Sequence, residues 1–241
     1  MLKLIFFDTE TTGNTEKDFL CQIAYKTENE SFVETYKPEI KIPPEASAVH
    51  HITNKMVTDK SVFKESEDFK KIKKLFEDKD SVVVAHNATF DLVMIKKEGI
   101  EPKKFICTLR VARHLDKEEK IEKYNLQYLR YLLDIEIDAT AHDAMGDVLV
   151  LEKLFERLKN KMQKESEKEN LSEEKIINKM IEISSHPSLL RSFNFGKHNT
   201  KKIEEVAKID RGYLEWLLEQ KLAGDGIDED WIYTLKHYLG K

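Results

Sequence analysis

The chain holds only two cysteines, Cys21 and Cys107, far apart and in apolar surroundings. That argues against a disulfide framework or a cysteine zinc site and leaves two small buried side chains. No apolar run is long enough to cross a bilayer. The first run, Leu4-Ile5-Phe6-Phe7, meets Asp8 at once and is too short for a signal peptide, so the expected location is cytoplasmic. Positive charge is not in excess either: 40 Lys and Arg stand against 45 Asp and Glu, a net charge of −5. A simple groove-coating binder of polyanions is therefore disfavoured, and such a partner must be held by local basic patches or by bound cations. Several catalytic and binding motifs are missing. Gly196-Lys197 lacks the upstream glycine of a phosphate-binding loop, and Gly224-Asp225-Gly226 lacks the strand and third glycine of a dinucleotide site. Asp225, Asp228 and Asp230 miss the calcium-loop spacing, and neither Gly-x-Ser-x-Gly nor His-Glu-x-x-His occurs.

What is present is a chain of 241 residues, 40% hydrophobic and 35% charged, enough for one large domain or a medium one plus a small one. Leu4–Phe7 is continuous, aromatic and β-branched, the pattern of a strand covered on both faces. Strand-like runs follow at Cys21–Lys26 and Ser31–Lys37, joined by the polar turn Thr27-Glu28-Asn29-Glu30, which predicts a hairpin. Prolines 38, 43 and 44 then open a loop. Helical spacing of Phe69, Ile72, Leu75 and Phe76 predicts an amphipathic helix, and Ser81–His86 predicts another buried strand. A helix from Asp91 ends before Gly99, a short strand covers Phe105–Thr108, and a helix follows it. Leu126, Leu129, Leu132 and Leu133 mark the next helix, and Asp143–Leu158 the last of this half. A hairpin followed by strands alternating with helices indicates an α/β fold with a mixed sheet flanked by helices. From Asn160 to Lys175, nine of sixteen residues are charged, so a boundary falls there. The expected division is a domain over 1–158, a charged helical linker over 159–189 and a small α+β module over 190–241, whose core would use Phe193, Phe195, Tyr213, Trp216, Leu217 and Trp231.

The acidic residues carry the chemistry. Asp8 and Glu10 follow the first buried strand and, two apart, project from the same side. Asp91 follows another buried strand and opens a helix. Asp147 lies near the start of the last helix, on its apolar stripe with Val148, Leu151 and Leu154. Taken singly, the first two sites read as solvated loop acids and a helix N-terminal acid; Asp147 alone resists such a reading. Together these carboxylates would repel one another, and no Arg or Lys stands inside the motifs to neutralise them. Two divalent cations, Mg²⁺ or Mn²⁺, relieve that repulsion, and such a pair activates water for phosphoryl displacement. His142 stands five residues before Asp147, and histidine is the residue type whose reference pKa suits a general base near neutral pH.

In this order, Asp8-x-Glu10, Asn87-x-x-Phe90-Asp91 and His142-Asp143-Ala144-x-x-Asp147 resemble the three motifs of the DEDDh exonucleases, near the proofreading epsilon subunits of DNA polymerase III and exodeoxyribonuclease X. The resemblance implies a ribonuclease-H-like fold and 3′–5′ removal of nucleotides with two divalent ions. It also implies Asp8, Glu10, Asp91 and Asp147 as metal carboxylates and His142 as general base. Asn87 and Phe90 belong to the second motif and are carried over as substrate contacts. Val49-His50-His51-Ile52-Thr53 resembles the family's Val-His-Gly-Ile-Thr segment, which implies His50 and Ile52 at the terminal nucleotide, with His51 in place of a glycine. Thr9, Thr11 and Thr12 beside Gly13 resemble the site for the 3′ end. Residues 190–241 resemble the terminal module of exodeoxyribonuclease X-like proteins. Arg191–Ile203 within it carries four basic residues, two phenylalanines and no acid; the phenylalanines are expected to pack on Trp216. The expected substrate is DNA, single-stranded or at a duplex 3′ end. The alternatives are an RNA-trimming enzyme or a polymerase-associated proofreading or interaction subunit.

Overall fold

The computed structural model describes residues 2–15, 17–137, 144–166, 171–224 and 228–241. The chain divides into two compact units, Met1–Ser185 and His186–Lys241. In the first, one sheet has the order β3-β2-β1-β4-β5. Its strands are β1 (Lys3–Thr11), β2 (Leu20–Lys26), β3 (Ser31–Thr35), β4 (Ser81–Ala85) and β5 (Phe105–Cys107). β1 pairs antiparallel with β2 and parallel with β4, so the sheet is mixed as the pattern predicts. The expected hairpin closes through Thr27, whose N–H donates to the Glu30 carbonyl at 2.8 Å and whose hydroxyl accepts from the N–H groups of Asn29 and Glu30.

Alternation along β1 decides what each face meets. Ile5 and Phe7 join one core with Ile72 and Phe76 of α3 (Glu67–Phe76) and Ile95 of α4 (Ala88–Lys97). Phe6 joins the other, with Val148, Leu151 and Phe155 of α7 (Ala144–Glu165). β4 alternates in step: Val82 and Val84 face α7's side, Val83 and Ala85 the other. Edge-to-face ring pairs lock both layers, Phe6 on Phe155 at 5.3 Å and Phe7 on Phe76 at 5.2 Å. Each such fully buried ring contributes about 1.5–3 kcal/mol by leaving water. Short helices α1 (Pro44–His50) and α2 (Asn54–Val57), then α5 (Thr108–Leu115) and α6 (Leu126–Leu132), complete the flanks.

The stretch expected to act as a linker behaves otherwise. α7 continues to Glu165, and α8 (Glu173–Ser184) packs Ile176, Ile177 and Met180 into the core shared with Phe6. The end of α8 is pinned as well: the Ser184 hydroxyl accepts from the Cys107 N–H at 2.8 Å, and its carbonyl accepts from buried Arg110 at 2.7 Å. The described charges of residues 160–175, Lys161, Lys164 and Glu165 on α7 and Glu173, Glu174 and Lys175 on α8, are all exposed, while the apolar stripes of the two helices are buried. The division therefore falls after Ser185.

The second unit is helical among its described residues: α9 (Ile203–Ile209), α10 (Arg211–Ala223) and α11 (Glu229–Leu239). The strand content expected there reduces to one isolated bridge between Ser192 and Lys202. The phenylalanines find Trp231 rather than Trp216: Phe193 stacks on it at 5.3 Å and Phe195 meets it edge-on at 5.0 Å. Trp216 is half exposed, beside Tyr213. Among the described residues, no helix is long and apolar enough to cross a membrane.

If α8 is part of the first core, Met180→Ala should lower the urea-unfolding free energy by about 2–5 kcal/mol. Lys164→Ala, on an outer face, should change it by less than about 0.5 kcal/mol.

Candidate active site

β1 outruns its parallel neighbour. Pairing with β4 reaches Phe6↔Val84, while pairing with β2 continues through Asp8↔Ala24 and Glu10↔Gln22 to an irregularity at Thr11. Asp8 and Glu10 thus follow Phe6 on the face toward α7, past the end of the parallel pair. On α7, Asp147 directly precedes Val148, which packs in that same core. One carboxylate oxygen from each of Asp8, Glu10 and Asp147 lies within 4.8 Å of the others. Asp147 is buried and the other two half-buried. Each ionised pair at that separation repels by roughly 3 kcal/mol with an effective dielectric constant near 20. A hydrogen bond to a charged group returns only about 1.5–3 kcal/mol. Such a set of hard oxygen donors suits a divalent cation.

Asp91 arrives from the opposite face, on α4, and does not join that group. Its Oδ1 accepts the Thr9 N–H at 3.1 Å and the Thr9 hydroxyl at 2.7 Å. Thr9 stands between Asp8 and Glu10, so the fourth acid is tied to the main chain that carries the first two. Burial pushes the Asp91 carboxyl up to about 7, against the pull of the two Thr9 bonds. α4 starts from exposed Asn87 in the left-handed region, φ 62°, a conformation asparagine tolerates. Phe90, half-buried, donates its N–H to the Asn87 carbonyl at 3.0 Å.

The threonine loop after β1 is braced from three sides. The Thr12 hydroxyl donates to Asp18 at 2.9 Å, and Thr15 gives the same carboxylate its N–H at 2.9 Å and its hydroxyl at 2.7 Å. Burial works upward on Asp18, but the bonds from Thr15 and Thr12 outweigh it and hold its pKa below the ordinary value. Gly13 is required here, because a Cβ would lie 2.6 Å from the Asp18 carboxylate oxygens. Lys97 of α4 donates to the Asp18 carbonyl and lies 4.2 Å over the Phe19 ring. The Thr11 hydroxyl turns inward to the Gly13 carbonyl.

His50 is buried with both ring nitrogens engaged. Nε2 donates to the Thr11 carbonyl at 3.1 Å and Nδ1 accepts the Ile52 N–H at 3.0 Å, which fixes the neutral tautomer. Burial lowers its pKa accordingly. Ile52 is buried with Cys21, Ile42 and Val57. His51, at the position where the resembling segment has glycine, has φ 64° and caps α1 through its N–H to Ser47. The left-handed geometry persists although a histidine occupies it, at about 1–2 kcal/mol of strain. Cys21 is inert: burial, with the Glu10 charge nearby, pushes its thiol up to about 12. His142 and Asp143 lie outside the described residues.

Sequence reasoning missed Gln127. Its Nε2 donates to Asp147 Oδ1 from α6, yet it sits among leucines in no motif, and nothing in a single sequence singles it out. His86 at the end of β4 was passed over too. It bridges the Tyr124 carbonyl at 2.6 Å and the Thr108 hydroxyl at 2.9 Å, and burial lowers it to about 4.

The chain belongs to the exonuclease family, whose profile matches residues 5–155. It is a nucleic-acid hydrolase of the 3′–5′ exonuclease class with a ribonuclease-H-like fold. A second profile, exodeoxyribonuclease X-like C-terminal, matches residues 193–221. The chain is 30% identical over 204 residues to exodeoxyribonuclease 10 of Escherichia coli (strain K12), covering 84% of this chain and 82% of that one. With DNA polymerase III subunit epsilon of Treponema pallidum (strain Nichols) it shares 32% over 163 residues, 62% of this chain and 73% of that one. A solved structure of exonuclease X in complex with 5′ overhanging duplex DNA matches with a TM-score of 0.57 at 26% identity, covering 76% of this chain and 99% of that one.

Asp91 has a measurable consequence for folding. Its folded pKa of about 7 exceeds the ordinary 3.8, so the metal-free protein should lose stability as pH rises from about 4 to 7. Asp91→Asn keeps an acceptor for Thr9 and removes the charge. Its metal-free thermal midpoint should match wild type near pH 4 and exceed it at pH 8. Midpoints that stay parallel across that range would refute the assignment.

Proposed function

We propose that this exonuclease hydrolyses DNA from its 3′ end in the cytoplasm with two divalent cations, Mg²⁺ or Mn²⁺, and releases 5′-mononucleotides. The observation that carries this reading is the convergence of Asp8, Glu10 and Asp147 within 4.8 Å. Bound there, the cations lower the pKa of the attacking water and offset the charge of the phosphate. Asp8, Glu10 and Asp147 hold them, and Asp91, fixed through Thr9, completes the acidic set. His142 takes the proton of the water that attacks the terminal phosphorus. The bond from phosphorus to the 3′-oxygen breaks, the nucleotide leaves with its 5′-phosphate, and the shortened strand regains a 3′-hydroxyl.

Thr9, Thr11, Thr12, His50, Ile52, Asn87 and Phe90 surround the terminal nucleotide in this reading. The hydroxyls of Thr9 and Thr12 are already committed to Asp91 and Asp18, and both His50 nitrogens to main chain. What the loop offers a 3′ end is therefore main chain and methyl groups, with Phe90 as a surface for the base. DNA is favoured over RNA because the relative covering 84% of this chain is named an exodeoxyribonuclease, and the matched exonuclease X structure holds duplex DNA. The similarity to an epsilon subunit supports a second reading, in which the protein works beside a polymerase.

A 5′-labelled single-stranded DNA with purified protein should give a ladder of shortening products with Mg²⁺ or Mn²⁺ and none with chelator. His142→Ala and Asp8→Ala should each slow it about 10²–10⁴-fold. Matched RNA should be cut more slowly than DNA. A ladder that survives both substitutions would remove these residues from the chemistry, and faster cleavage of RNA would reverse the substrate.

A further inference from the structure

We propose that Gln127 is a positioning residue for the cation site: its amide nitrogen fixes Asp147, and its amide oxygen accepts a hydrogen bond from a water on the cation. The inference rests on the reading that Asp8, Glu10 and Asp147 hold a divalent cation. Nε2 of Gln127 donates to Asp147 Oδ1. The orientation of the amide follows from chemistry, since an ionised carboxylate only accepts and the NH₂ end must face it. Oε1 is thereby turned the other way, where it is inaccessible to solvent and meets no donor among the described residues. Buried carbonyl oxygens without a donor are rare in native proteins, and each asks for a missing partner.

The position is not a loose surface amide. Gln127 lies on α6 between Leu126, packed against the first unit's core, and Leu129, which is 1% exposed within it. Its backbone is anchored, and the side chain is aimed at Asp147. A lysine or arginine here would restrain Asp147 equally well but would cancel charge that a cation needs. An amide restrains the carboxylate and leaves the negative field intact. Beside three converging carboxylates, the donor that arrives only with a divalent ion is a water in its coordination shell, because small hard cations keep several waters. Partners of this kind, one step removed from the ion, tune affinity through the ligand they orient.

The test is calorimetric titration of Mn²⁺ into the full-length protein without nucleic acid, for wild type, Gln127→Met and Gln127→Asn. Met keeps the shape and removes both hydrogen bonds; Asn keeps the amide but shortens its reach. Cation Kd should rise about 10–100-fold in Gln127→Met and by at least about fivefold in Gln127→Asn. At saturating Mn²⁺ the KM for a single-stranded oligonucleotide should stay within about twofold of wild type, a split that mere loss of packing would not produce. If Gln127→Met does not fold, Gln127→Asn decides. Cation Kd within about twofold of wild type in the folded variants overturns the inference alone. A wild-type protein that takes up no Mn²⁺ overturns the cation reading with it.

Discussion

Everything in the first unit depends on one strand being buried on both faces and then ending in acids. Ile5, Phe6 and Phe7 of β1 are almost wholly excluded from water, between α3 and α4 on one side and α7 on the other. That packing leaves β1 no freedom to slide, because a slip of one residue would swap its faces. Asp8 and Glu10 inherit the rigidity. They are carried past the last residue of β1 paired with β4 and cannot retreat from Asp147 without unpacking Phe6 from Phe155.

Electrostatics then opposes the packing. The core forces carboxylates together at distances where their mutual repulsion exceeds what single hydrogen bonds return. Neutral donors reach two of the acids, Thr9 to Asp91 and Gln127 to Asp147. On the proposed reading, the residual strain is the driving force for taking up metal. The loop beside the acids is restrained by the Asp18 carboxylate, by the Gly13 contact and by His50 across the Thr11 carbonyl.

Much of this was legible from residue order. The hairpin, the buried strands and helices α3 to α7 follow from alternation and helical periodicity, whereas α1 and α2 fall where the prolines predicted only a loop, and Asp8, Glu10 and Asp147 do converge. Helix α8 was hidden because charge dominates the composition of 160–175, while its apolar stripe, Ile176, Ile177 and Met180, begins only past that window. The choice of Trp231 over Trp216 was equally hidden: both are aromatic residues on helices, and only the fold shows which one faces Phe193. His51 was flagged as a departure from glycine, and the backbone there is left-handed all the same.

By itself, the sequence determined which strands must be buried and which carboxylates follow them, since apolar runs and their periodicity dictate burial locally. It could not determine that Asp91 reaches Thr9 from the opposite face, that both His50 nitrogens are spent on main chain, or that Gln127 meets Asp147. Those are contacts between segments whose only link is the packing of helices on a sheet. Hydrogen bonds are directional over a few ångströms, so their partners are chosen by tertiary geometry and leave no periodic trace along the chain.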